Sequence, residues 1–192
     1  MYNRGFTLIE FLLVIVLIAI VLGVSVSLLS RGWSGMTITA MAKKLRSDMR
    51  YTQALAMAMR SSSSLSQPIR ARVIFDTTNE KYDIKVVNDS DGDKVWGEAG
   101  EVEYAKDPST GGDFTVQLNS GNYSGIAIDS ATFSATGCTS SAIVEFDSMG
   151  VPYCINSSDQ TSIKMDSSGT AVISKAGESA TITVVQNTGR VY

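Results

Sequence analysis

The sequence contains no histidine, and it has only two cysteines and three prolines among its 192 residues. Histidine is the side chain most often used as a general acid or base, and the serines present lie in no nucleophile-elbow motif. The usual sets of acid, base and nucleophile cannot be assembled from this inventory. We therefore expect neither enzymatic activity nor a cofactor, apart from the calcium ion considered below.

Positive charge is scarce in the C-terminal two thirds of the chain. From residue 61 onward there are nine Lys and Arg residues against seventeen Asp and Glu residues, a net charge of −8. An acidic domain repels the phosphate backbone of DNA and RNA. Nucleic acid is therefore not the partner that this composition predicts.

Charge is entirely missing between Phe11 and Leu29. At 1.5 Å per residue, a helix of this length spans about 28 Å, roughly the hydrocarbon thickness of a bilayer. A helix of a globular core would show a polar face, and this run shows none. A cleaved secretory signal fits poorly, because SLLSRGW follows in place of small residues. The run predicts a transmembrane helix half over residues 6–30.

Residues 31–62 predict a second, amphipathic helix half. The two glycines of SRGWSG weaken a helix without forbidding it. Beyond them, residues suited to a core recur at steps of three and four, which makes one stripe on a helix: Ile38, Met41, Leu45, Met49, Thr52, Ala56 and Met59. Basic residues beside the stripe are interpreted as a solvated face: Lys43, Lys44, Arg46 and Arg50. The run SSSSLSQP ends the helix.

From residue 63 to residue 192 the apolar pattern becomes that of extended strands. The runs are IRARVIFD, YDIKVV, DFTVQL, GIAIDSATF, SAIVEF, TAVIS and ATITVV, with turn residues between them. The first two flank the turn TTNEK and predict an antiparallel hairpin. The expected fold class is therefore α+β: a long N-terminal helix whose amphipathic half packs on an antiparallel, all-β C-terminal module.

The two cysteines are Cys138 and Cys154. An even pair in a chain with a membrane segment suggests a disulfide formed in an oxidising compartment, which would stabilise the fold by roughly 3 kcal/mol. The alternative is two buried thiols in a cytosolic domain. We favour the disulfide.

The run RGFTLIE, from Arg4 to Glu10, resembles the processing signature of type IV prepilins and type II secretion pseudopilins, in which a short basic leader ends in Gly. The resemblance implies a leader at residues 1–5, cleavage by the prepilin peptidase between Gly5 and Phe6, and N-methylation of Phe6. Gly5 suits a protease groove, since a Cβ there would collide.

The same resemblance gives Glu10 a role in assembly. A charge in the membrane costs several kcal/mol unless it has a partner. In the resembled family that partner is the N-terminal amine of the neighbouring subunit, here the amine of Phe6. The alternative is that Glu10 merely reaches the headgroup layer.

Three further runs are similar to the GspH/FimT group of minor pilins and pseudopilins: MAKKLRSDMRYTQALAMAMR, IVEFDSMGVP and TITVVQNTGRVY. This similarity implies a pilin-like, two-sheet domain in the periplasm over residues 63–192, and a single-pass anchor in the bacterial inner membrane. It implies assembly with other minor and major pilins or pseudopilins, through the inner-membrane assembly platform, at or near the tip of a type II secretion pseudopilus or type IV pilus. The expected role is protein secretion or pilus biogenesis. The alternatives are a DNA-binding minor pilin for DNA uptake and a plain single-span membrane protein.

An acidic run, NDSDGDKVWGE, places Asp89, Asp91 and Asp93 at alternate positions. Such spacing can converge oxygen ligands on Ca²⁺. The glycine comes too early for an EF-hand loop, however, and the closing Glu is not at the usual interval. We favour a solvated acidic turn over a calcium site.

The C-terminal run NTGRVY contains Arg190. Some minor pilins of the resembled group act in DNA uptake through a basic GR-containing tail motif. That motif requires a second basic residue at the positions that Val191 and Tyr192 occupy here. With the net charge of −8, Arg190 is expected to face solvent.

Overall fold

The computed structural model describes residues 8–59, 69–89, 100–156 and 159–192, with side chains throughout except at residues 23–36 and 139–140. The helix α1 (Leu8–Ala58) comes first, and a short 3-10 helix spans Gly121–Tyr123. The strands are β1 (Arg70–Asp76), β2 (Lys81–Val87), β3 (Val102–Tyr104), β4 (Thr115–Gln117), β5 (Ala127–Ala135), β6 (Cys138–Ser141), β7 (Ile143–Phe146), β8 (Pro152–Ile155), β9 (Ser162–Lys164), β10 (Gly169–Lys175) and β11 (Glu178–Val184). A helix followed by antiparallel sheets confirms the α+β class.

The described strands form two antiparallel sheets. The first has the order β3-β2-β1-β7-β8-β9, and β4 pairs with β2 on the same edge as β3. The second has the order β11-β10-β5-β6. The hairpin predicted on either side of TTNEK is present, with Arg70 opposite Val87 and Asp76 opposite Lys81. We call residues 69–192 the β-module.

Each predicted run contains a strand, and four short strands were not predicted. β1, β2 and β10 match predicted runs to within one residue at each end, β7 begins two residues into its run, β11 begins two residues before its run, and β5 continues two residues past its run. The run DFTVQL yields only the three residues of β4. No prediction covered β3, β6, β8 or β9, which are three or four residues long. Segments this short show no alternation, and their conformation depends on hydrogen bonds to neighbouring strands.

The second half of α1 packs on the β-module through the predicted stripe. Six of the seven stripe residues, from Ile38 to Ala56, are at most 4% exposed, and Met59 is half-buried. The helix contacts β1, β7, β10 and β11, and the buried apolar residues of the stripe share one core with Tyr82, Phe133 and Phe146. The helix runs through SRGWSG without interruption, because a glycine costs only about 1 kcal/mol in a helix.

One polar contact fastens α1 to the first sheet. The buried Tyr82 hydroxyl donates to Asp48 Oδ2 at 2.5 Å, and Lys44 Nζ donates to the same oxygen at 2.7 Å. The side chain of Thr52 donates to the backbone carbonyl of Asp48 at 2.9 Å. The carboxylate of Asp48 is therefore paired, which offsets the cost of its burial.

This contact predicts how stability changes in alkali. Burial, followed by the charge of Asp48, raises the pKa of Tyr82 well above its ordinary 10.0. Because the folded state holds the phenolic proton more tightly than the unfolded state, this stabilisation is complete below about pH 10 and is lost as the pH rises further. We expect Tyr82→Phe to cost about 2 kcal/mol at neutral pH and to flatten the loss of stability above pH 10.

Urea unfolding from neutral pH to about pH 11 measures both effects. Tyr104→Phe is the matched control, since Tyr104 is 39% exposed. The same alkaline slope in Tyr82→Phe as in the control would contradict the prediction.

The two cysteines form the predicted disulfide. Cys138 lies in β6 of the second sheet and Cys154 in β8 of the first, so the bond links the two sheets. Both residues are at most 1% exposed, and the chain has no free cysteine.

Removing this link should destabilise the module. The cysteines are separated by 16 residues, and closing a loop of that size contributes about 3 kcal/mol. We expect the double variant Cys138→Ala/Cys154→Ala to lose about that much, and reductant to lower the stability of the wild type but not of the variant. Urea unfolding with and without reductant tests this. A wild type that is equally stable in both conditions while its thiols become labelled would refute it.

Candidate assembly interface

Residues 8–22 form the first turns of α1, and all of their side chains are exposed. Large apolar residues dominate this segment, and their exposed fractions run from 43% at Val14 to 83% at Leu8. Burying such a side chain is worth about 1.5–3 kcal/mol, and soluble monomers rarely expose a continuous apolar surface of this size. The segment therefore has no apolar environment within the part of the chain that the structure describes. We call residues 8–22 the exposed apolar segment.

The exposed apolar segment differs from residues 37–58 of α1 in having no polar face. Within residues 37–58, a single stripe of α1 is buried on the β-module. A helix that is apolar all round is typical of a protein core or a membrane.

The predicted membrane span, residues 6–30, is only partly described. Over the residues that the structure describes, no helix combines the length and hydropathy needed to cross a bilayer. Residues 6 and 7 and the side chains of residues 23–30 lie outside the description. The span is therefore not confirmed.

Glu10 lies in the first turn of α1 and is exposed. A carboxylate there interacts favourably with the partial positive charge of the helix N-terminus, by about 0.3–1 kcal/mol. It is the only ionisable residue of the exposed apolar segment. Gly5 and Phe6 lie outside the described residues, so the cleavage and methylation sites stay predictions from the sequence.

The C-terminal tail, residues 186–192, folds back onto α1. Val191 pairs with Val184, and Arg50 Nη2 donates to the Val191 carbonyl at 2.8 Å. Gln53 Nε2 donates to the carbonyls of Gly150 and Thr188, at 2.9 and 3.0 Å. The tail is thus held by two side chains of α1.

Arg190 is exposed, as expected, and its guanidinium lies 4.6 Å from the ring centroid of Tyr192. The contact of Arg50 with the tail brings a second arginine to this end of the molecule. Sequence reasoning missed it because Arg50 and Val191 are 141 residues apart along the chain.

The first aspartate of the acidic run is not exposed to solvent as predicted. Asp89 is only 1% exposed, so its assignment to a solvated turn is wrong. It lies two residues after the end of β2, whose last residue, Val87, is also buried. Asp91 and Asp93 lie outside the described residues. Within the described ranges, no group of three or more Asp, Glu or Cys residues is arranged to hold a metal ion.

Residues 1–26 match the family model described as the prokaryotic N-terminal methylation motif. The matched range contains Gly5, Phe6 and Glu10 and most of the uncharged run. No curated protein and no solved structure matches the chain. The motif supports a type IV prepilin-like protein, and it implies processing by a prepilin peptidase, membrane anchoring and assembly with other pilins.

Proposed function

We propose that this protein is a minor pilin or pseudopilin that is cut after Gly5, methylated at Phe6, and built through α1 into a short filament. The observation that carries the proposal is the division of α1. One face of its second half is buried on the β-module, whereas residues 8–22, within the methylation motif, are exposed on every side. A helix arranged in this way can leave its module in water while its first half enters lipid or a bundle of like helices.

Glu10 supplies the specificity that apolar packing lacks. Lipid tails are as apolar as Leu, so helices in a membrane gain little hydrophobic free energy by associating. A charged pair is different, because a carboxylate in the membrane is costly until it meets a cation. Cleavage after Gly5 creates such a cation, the amine of Phe6, only in the processed subunit. Processing and assembly are thereby coupled.

The β-module fits a location in the periplasm. Its buried disulfide is of the kind that forms and persists in an oxidising compartment. We therefore propose a single-pass subunit in the bacterial inner membrane, which joins other minor and major pilins or pseudopilins on the assembly platform. In this proposal the subunit lies at or near the tip of a type II secretion pseudopilus or a type IV pilus. The two-sheet module supports the GspH/FimT group as its subgroup.

A DNA-uptake pilin is the second candidate, favoured by the exposed Arg190 and the nearby Arg50. The net charge of −8 from residue 61 onward opposes it. A mobility-shift titration of the full chain in detergent distinguishes the two. Salt-sensitive DNA binding that is lost in Arg190→Ala would favour DNA uptake over our proposal.

Co-expression with a prepilin peptidase tests the proposed function. We expect the chain to lose residues 1–5 only when the peptidase is active, and Gly5→Leu to stay uncut because its side chain obstructs the protease groove. Intact-mass spectrometry reads the result. A wild-type chain that keeps Met1 beside an active peptidase would instead be a plain single-span protein.

A further inference from the structure

Opposite its buried stripe, α1 presents a second row of exposed residues. Lys43, Ser47, Arg50, Ala54 and Met57 follow one another at steps of four and three and so share one face. The half-buried Arg46 borders this row, and its Nε is buried with no hydrogen-bond partner. We call Lys43, Arg46, Ser47 and Arg50 the basic ridge.

The positive charge of the basic ridge is not neutralised within the described part of the chain. Five ion pairs occur there, and none of them uses Lys43, Arg46 or Arg50. The acid next to the ridge, Asp48, is paired with Lys44 and Tyr82 on the buried side of α1. One molecule thus has a basic surface on its helix and a net charge of −8 from residue 61 onward.

Helix packing would bring these two surfaces together. Packed helices lie about 8–10 Å apart, and α1 is continuous from Leu8 to Ala58. If the exposed apolar segments of two subunits pack side by side, the module of one subunit lies alongside the second half of the other helix. Two modules of the same charge repel at separations within the Debye length, about 8 Å at physiological salt. A basic surface between them relieves that repulsion.

We infer that the basic ridge is the docking surface for the acidic β-module of the neighbouring subunit in the filament. This inference rests on the proposed function and adds the partner surface to it. The contact is one of complementary charge, which fixes orientation and rejects uncharged or basic partners. The neighbour to which the inference commits is a second copy of this chain, adjacent to the first at or near the tip, because its module carries the net charge of −8 that the ridge requires.

The experiment compares two double variants of the full chain in assembling cells. Lys43→Glu/Ser47→Glu lowers the formal charge of the ridge from +3 to 0 without touching Arg50, which holds the tail. Lys164→Glu/Ser167→Glu makes the same charge change at an exposed site in and after β9. We expect both chains to be cut and methylated, the ridge variant to be recovered from filaments about tenfold less than the wild type, and the control to stay within about twofold of it.

Equal recovery of the two double variants would overturn the inference. Glu10→Ala in the same assay separates this failure from that of the proposed function. If Glu10→Ala is excluded and the ridge variant is incorporated, only the ridge contact is wrong. If Glu10→Ala is also incorporated normally, the proposed function fails as well. Matching urea-unfolding midpoints confirm that the variants are folded.

A photoreactive residue at Ser47 identifies what lies on the ridge. In filaments of the full chain we expect adducts with peptides from residues 100–192 of another subunit. Adducts restricted to lipid or nucleic acid, or to the same chain, would overturn the inference.

Discussion

A chain carrying Glu10→Ala is expected to be cut after Gly5 and methylated at Phe6 like the wild type, yet to be depleted at least tenfold from filaments. The peptidase acts before Phe6, whereas Glu10 lies beyond the cut in the first turn of α1. Losing the partner of a charged amine in an apolar setting costs several kcal/mol, and each 1.4 kcal/mol is a factor of about ten in an equilibrium constant. Comparing the chain in sheared filaments with the chain left in membranes measures the depletion.

Leu12→Ala is the control for Glu10→Ala. Leu12 lies in the same exposed apolar segment and is 58% exposed, so its replacement removes apolar surface but no charge. We expect this variant to be incorporated within a few fold of the wild type. Normal incorporation of Glu10→Ala would instead leave Glu10 as a headgroup-facing acid without a pairing role.

Gly189→Ala is expected to destabilise the β-module by about 2–4 kcal/mol. Gly189 is buried with a φ of 63°, a conformation that favours glycine. A methyl group there would collide with the carbonyl oxygen of Gly150 and lie 2.6 Å from Gln53 Nε2. The variant must therefore displace the contact that holds the C-terminal tail to α1.

Gly177→Ala separates backbone strain from this close approach. Gly177 has a φ of 85°, and a Cβ built there meets nothing within 4 Å. We expect it to lose only about 1–2 kcal/mol. Urea unfolding of both variants gives the difference, and equal losses would contradict a close contact between Gly189 and Gly150.

The sequence was most informative where a pattern repeats. The stripe from Ile38 to Ala56 could be identified because each step of three or four residues returns to one face. Alternation identified β1 and β2 in the same way. The contact between Tyr82 and Asp48 left no such signal, since these residues are 34 positions apart and meet only when α1 packs on the sheet. The burial of Asp89 is likewise a property of the folded chain.

The residues of the candidate site also differ in whether the sequence alone reveals them. Gly5, Phe6 and Glu10 lie within six residues, so the chemistry of cleavage and pairing can be recognised in one short motif. Each residue of the basic ridge, taken alone, looks like an ordinary solvent-exposed residue of a helix. The significance of the ridge depends on the position of the β-module and on the absence of ion pairs to the ridge among the described residues, and both are known only from the three-dimensional structure.

The most direct measurement is the mass of the wild-type chain recovered from filaments sheared from its native cells. We predict a chain that begins at Phe6, carries one added methyl group, and is found together with other pilin subunits. A chain that still begins at Met1, or that is confined to the membrane fraction while filaments form normally, would contradict the assignment to a minor pilin or pseudopilin.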